Sequence, residues 1–238
     1  MAEFCNKDNT KLNPQSSSNL AKLLSQLINK TPTAGYYATS AGTGTNQLHG
    51  LAQCRGDVTP KECSSCITDA ADQITARCPG RPDARIWYDY CFLRYSKDNF
   101  VGKLDNSYAL FFYNVENVTD PETFNGKLGG LVDEIRSQAV KLRSKGIGKG
   151  ETKLSPFLTI YALVQCTRDL AAIDCAQCLA IAVGNFPNFC NNKKGCRALY
   201  DGCYVRYELY PFFFPLKSAN SSIAAASEAT SMVAVIRS

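Results

Sequence analysis

Five of the six cysteines in the first half of this chain recur in the second half at one offset. Cys54, Cys63, Cys66, Cys78 and Cys91 return as Cys166, Cys175, Cys178, Cys190 and Cys203, each 112 residues later. Cysteines that drift independently do not keep such a register, so the chain is a duplicated, cysteine-braced domain. Its 238 residues divide into a first domain at 1–108, a second at 109–215 and a flexible tail or linker at 216–238. Units of this size bury a core but gain from covalent bracing.

Twelve cysteines, six in each half, read as three disulfides per domain. Cys63-x-x-Cys66 and Cys175-x-x-Cys178 also invite a zinc or a redox reading. Zinc knuckles need partner ligands close by, whereas these pairs lie 112 residues apart and the sole histidine is His49. A redox dithiol opens a helix after a strand in a chain with few other cysteines. Structural disulfides are therefore expected, and no metal or cofactor.

Comparing the repeats narrows the pairing. The unshared cysteines are Cys5 and Cys196, so each repeat has one bond that uses an unshared partner. Cys190 and Cys196 lie six apart and close a loop, which leaves Cys78, the counterpart of Cys190, to Cys5. Cys63 and Cys66 sit on one helix and are held apart. We assign Cys54–Cys63 with Cys66–Cys91, and their copies Cys166–Cys175 with Cys178–Cys203.

Paired cysteines and the acceptor sequences at Asn29, Asn117 and Asn220 point to an oxidising, secretory compartment. The start, Met-Ala-Glu-Phe-Cys, lacks a basic region followed by an apolar run and reads as a mature or recombinant form. No stretch has the length of a membrane span. The net charge of +5 is spread along the chain and is too mild for nucleic acid. The basic stretch from Lys141 to Lys149 is broken by glycines and reads as a helix end entering a solvated loop.

Leu20, Leu23, Leu24, Leu27 and Ile28 follow helical spacing, with Asn19 as N-cap and Thr31-Pro32 as the stop. Phe124 to Leu142 is the longer counterpart. A strand follows each, and another runs into Cys54 and into Cys166. Thr59-Pro-Lys-Glu62 is a capping box that opens a second helix reaching about Arg77; Asp169 to Val183 matches it. Each repeat closes with two β-like runs, joined in the second at Asp201-Gly202, a hairpin signal. Such an order favours an α+β domain, an antiparallel sheet with helices on one face.

The spacing Cys-x8-Cys-x2-Cys, present as Cys54-RGDVTPKE-Cys63-SS-Cys66 and Cys166-TRDLAAID-Cys175-AQ-Cys178, resembles the plant ginkbilobin-like stress-antifungal domain. Tandem copies occur in cysteine-rich repeat secretory proteins, receptor-like kinase ectodomains and plasmodesmata-located proteins. The resemblance implies a five-stranded antiparallel sheet with two helices per domain. It also implies a mannose site built from an Asn after the first cysteine, an Arg six before the last and a Glu five after it. In the first repeat these positions are Asn6, Arg85 and Ser96. In the second they are Arg197 and Glu208; with no first cysteine to mark the asparagine, Asn114 and Asn117 both lie near it, and neither repeat keeps the full trio. Arg donates to sugar hydroxyls, Glu accepts from them, and Asn does both. The competing reading of Arg197 and Glu208 is a cross-strand salt bridge. The abundant aromatics are assigned to packing.

No Ser-His-Asp set, phosphate-cradling motif or paired acids support catalysis. The expectation is a secreted, non-enzymatic stress or antifungal protein that binds a mannose-type wall glycan. The alternative is an extracellular ectodomain that meets a protein partner or a second copy of itself.

Overall fold

A computed structural model describes residues 1–8, 10–215 and 232–237. The chain separates into two compact units, Met1–Gly102 and Lys103–Ser238.

In the first unit the elements run β1 (Ala2–Cys5), α1 (Pro14–Ala34), β2 (Tyr36–Ala41), a 3-10 turn at Gly44–Asn46, β3 (Leu48–Cys54), α2 (Pro60–Arg77), β4 (Asp83–Trp87) and β5 (Cys91–Ser96). The strands form one antiparallel sheet in the order β1-β4-β5-β3-β2. The second unit repeats this with β6 (Ala109–Asn114), α3 (Pro121–Ala139), β7 (Ile147–Ser155), β8 (Leu158–Cys166), α4 (Ala172–Gly184), the short α5 (Phe186–Phe189), β9 (Cys196–Tyr200) and β10 (Cys203–Glu208). Its order, β6-β9-β10-β8-β7, matches strand for strand. Met232–Arg237 adds β11 on the outer side of β6, so the second sheet has six strands where a tail was expected.

Apolar periodicity explains which faces meet. Leu20, Leu23, Leu24 and Leu27 of α1 and Cys63, Ile67, Ala70 and Ile74 of α2 are buried. They pack with Ala52, Ala84, Ile86, Leu93 and Tyr95 from one face of the sheet. In the second unit Phe124, Leu128, Leu131, Val132 and Ile135 of α3 pack with Ala162, Val164, Ala198, Val205 and Tyr207. Helix α3 lies directly on β7. A Cβ at Gly148 would come within 1.8 Å of the Ile135 carbonyl oxygen, so only glycine allows this approach.

Six disulfides brace the units: Cys5–Cys78, Cys54–Cys63, Cys66–Cys91, Cys166–Cys175, Cys178–Cys203 and Cys190–Cys196. These are the pairings assigned from the sequence. The α+β architecture, five core strands and two long helices per unit, is the expected one.

Helix ends differ from the sequence reading. Asn13, not Asn19, caps α1, accepting from the Ser16 backbone N–H at 2.8 Å, with Pro14 in the first turn. Asn19 is buried one turn inside and donates to the Asn46 carbonyl at 2.9 Å. Pro32 sits within the last turn, and the helix closes at Gly35, whose left-handed backbone returns its N–H to the Thr31 carbonyl at 2.7 Å. Helix α3 stops at Ala139, leaving Leu142 fully exposed, and the expected strand that follows, Ile147–Ser155, takes in Lys149, the end of the stretch read as loop.

Candidate functional site

The β4–β5 register places Arg85 opposite Arg94, and the β9–β10 register places Arg197 opposite Arg206. All four lie on the sheet face away from the helices. Like charges directly opposite one another destabilise a sheet unless something neutralises them. In the second unit that group is Glu208, whose Oε1 lies 2.9 Å from Arg206 Nε and 3.7 Å from Arg197 Nε. The expected cross-strand pair therefore exists, but Arg206 is its nearer member, a residue the spacing argument passes over. Burial pushes the Glu208 carboxyl above the usual range, and the two guanidiniums only partly offset this.

In the first unit the position of Glu208 is held by Ser96, yet the cluster still has its carboxylate. Asp83, directly across the ladder from Ser96, puts Oδ2 at 3.1 Å from Arg85 Nη2 and Oδ1 at 3.8 Å from Arg94 Nε. The residue 112 positions on from Asp83 is Gly195. A Cβ at Gly195 would sit 2.0 Å from Glu208 Oε2. The two arrangements exclude each other: Glu208 needs a glycine across from it, while Ser96 leaves room for Asp83. The core tyrosine of each unit records the same substitution. Burial raises the pKa of Tyr95 and of Tyr207, and the next cause is the charge of Asp83 for one and of Glu208 for the other.

The asparagines follow equally well. The Asn6 backbone N–H donates to the Asp83 carbonyl at 3.0 Å, and Asn6 Oδ1 accepts from the Asp8 N–H at 2.7 Å. The Asn114 N–H donates to the Gly195 carbonyl at 2.9 Å, and its Oδ1 accepts from the Glu116 N–H at 2.9 Å. Asn114 is therefore the counterpart of Asn6. Asn117 lies beyond the strand, exposed and bridged to Lys193. The second unit thus holds the full Asn114–Arg197–Glu208 set, and the first holds Asn6, Arg85 and a carboxylate from β4. Both asparagines stand two residues before an acidic one, in Asn6-Lys-Asp8 and Asn114-Val-Glu116, a shared turn signature that aligns them without a cysteine.

The arginines are stiffened by rings. Arg85 lies 4.4 Å from the centroid of Phe4, Arg94 4.2 Å from Phe100, and Arg206 4.1 Å from Phe212. The carboxylates differ in access: the Asp83 side chain is 17% exposed, that of Glu208 1%.

Asn29 is exposed on α1, but Thr31 of its acceptor sequence is buried. Asn117 and Thr119 are both exposed, and Asn220 lies outside the described residues. Among the described residues no helix is long and apolar enough to cross a membrane, and no cluster of His, Cys, Asp or Glu could hold a metal ion.

Known proteins share this architecture. Cysteine-rich repeat secretory protein 55 of Arabidopsis thaliana is 53% identical over 92% of this chain and 85% of its own length. An antimicrobial ginkbilobin-2-like protein of Castanea crenata is 41% identical over 82% of this chain and 80% of its own. The crystal structure of the tandem DUF26 ectodomain of the Arabidopsis thaliana cysteine-rich receptor-like protein PDLP8 matches with a TM-score of 0.77 at 27% identity. It covers 87% of this chain and 96% of that ectodomain. The salt stress response/antifungal family model matches residues 4–98 and again 113–210, so the chain belongs to that family as a tandem of two such domains.

Proposed function

We propose that this chain is a secreted plant binding protein of the stress and antifungal type that recognises hydroxyl-rich wall carbohydrate such as mannose or mannan. The observation that carries this reading is the recurrence of an Asn, an Arg and a carboxylate on the same face of both domains, the carboxylate coming from β4 in the first and β10 in the second. Vicinal sugar hydroxyls need donors and acceptors on a rigid frame, and a ladder with ring-stacked arginines offers that. A carboxylate among the donors favours a neutral polyol over an anionic ligand. The test is calorimetric titration of the intact chain with mannose and with mannan. Saturable heat is expected, reduced by Asn6→Ala and by Asn114→Ala; no heat from the parent protein overturns the reading.

A second reading is protein recognition. It is favoured by the fold shared with the receptor-like ectodomain and by Phe157, fully exposed just before β8. Aromatic side chains, Phe among them, are enriched at the cores of protein interfaces. Phe157→Ser abolishing capture of an extracellular partner, with mannan inert, would select it.

A further inference from the structure

Resting on the carbohydrate reading, we infer that Asp83 is the hydroxyl-accepting residue of the first domain, its carboxylate supplied from β4 in place of the one lost from β5 at Ser96. Three observations converge on this. Asp83 bridges the guanidiniums of Arg85 and Arg94, at 3.1 and 3.8 Å. Its carbonyl holds the Asn6 backbone at 3.0 Å, so Asn6, Asp83 and Arg85 form one contiguous group. Its side chain is 17% exposed, against 1% for Glu208, so the Asp83 carboxylate is partly open to a ligand hydroxyl.

The transposition changes specificity. Glu208 reaches its arginines from the strand beside Arg197, whereas Asp83 lies on the same strand as Arg85, two residues away. The acceptor and the Arg85 donor in the first domain therefore point along one strand and fit adjacent hydroxyls on one edge of a sugar ring. Asp83 is also one methylene shorter than Glu and half-buried, where Glu208 is sealed. The ligand class is an uncharged polyol with neighbouring hydroxyls, met at the first domain by a shallow acceptor.

The experiment compares the parent chain, Asp83→Asn, and the double variant Asp83→Gly/Ser96→Glu, which returns the carboxylate to β5 opposite the glycine it needs. Mannose and mannan are titrated into each, and melting curves report the fold. With the Asn114→Ala background silencing the second domain, Asp83→Asn is expected to weaken binding by about tenfold, as loss of a hydrogen bond to a charged group does. The double variant is expected to recover binding at least in part. Asp83→Asn within about twofold of the parent, while Asn6→Ala still weakens binding, overturns the role of Asp83 and leaves the carbohydrate reading standing. If Asp83→Asn loses its fold, a folded double variant that binds upholds the inference, and a folded one that does not bind overturns it. No binding by the parent overturns both readings together.

Discussion

Arg206 is the nearest counter-ion of a carboxylate whose pKa burial raises. It lies 2.9 Å from Glu208, stacks on Phe212 at 4.1 Å and donates to the Tyr210 hydroxyl at 3.1 Å. Replacing it by Met keeps much of the stem's packing but leaves Glu208 sealed beside one more distant guanidinium. Stranding a buried charge costs about 3–5 kcal/mol. The pH dependence carries the sign. The Glu208 pKa is already raised in the folded chain, and removing its nearest cation raises it further. A carboxyl with a raised folded pKa favours the native state at acid pH and loses that stability as the pH rises past its unfolded value, near about 4. The deficit of Arg206→Met relative to the parent chain is therefore expected to be small at acid pH and largest at neutral pH, by denaturant unfolding across that range. A deficit independent of pH would mean that lost packing explains it. The family resemblance, counted from the last cysteine, names Arg197 and Glu208. Asp83 was not legible, because a carboxylate exchanged between neighbouring strands shows only once the ladder register is known. Asn114 was obscured because the cysteine that marks Asn6 has no counterpart before it.

Elements were legible where one signal settled the matter. The capping box at Thr59 and Glu62 is formed in both directions, at 3.2 and 2.7 Å, and α2 starts where it dictates. Leucine spacing places the start of helix α1 at Asn19, six residues too late; Pro14 beside Asn13 marks it, since proline suits the first turn. Helix α3 contains Gly126, Gly129 and Gly130, and a Cβ at each meets nothing within 4 Å. Gly129 borders a cavity of about 300 Å³ floored by Leu128, Val132, Phe186 and Tyr207, formed where α4 ends at Gly184. Helical glycine costs about 1 kcal/mol relative to alanine. Alanine at 126, 129 and 130 together is expected to stabilise the second domain by about 2–3 kcal/mol. Gly148→Ala in β7 is expected to do the reverse, because its Cβ lies 1.8 Å from a backbone oxygen of α3 that cannot turn aside. Thermal melts of the two variants should move in opposite directions; a shared direction would refute the account of α3 packing on β7.

At the scale of the whole molecule, duplication kept two disulfides and let the third change partner. Cys54–Cys63 and Cys66–Cys91 have copies with the same separations of 9 and 25 residues. The third bond spans 73 residues as Cys5–Cys78 in the first domain and six as Cys190–Cys196 in the second. In the first it pins β1 and with it Asn6, the residue after Cys5; in the second it closes a local loop and leaves β6 to be held by its ladders with β9 and β11. By loop-closure entropy a 73-residue crosslink is worth about 4 kcal/mol and a six-residue one about 2. The single tryptophan, Trp87, is buried in β4 of the first domain, so its fluorescence follows the unfolding of that domain. Removing Cys5 and Cys78 together should shift the denaturant midpoint of Trp87 fluorescence strongly downward and weaken any binding that depends on Asn6. Removing Cys190 and Cys196 should leave the Trp87 midpoint almost in place and lower the far-ultraviolet circular dichroism transition by about half as much. Equal shifts at Trp87 for both pairs would show that the two domains unfold as one cooperative unit, and the separate bracing inferred from the cysteine register would fall.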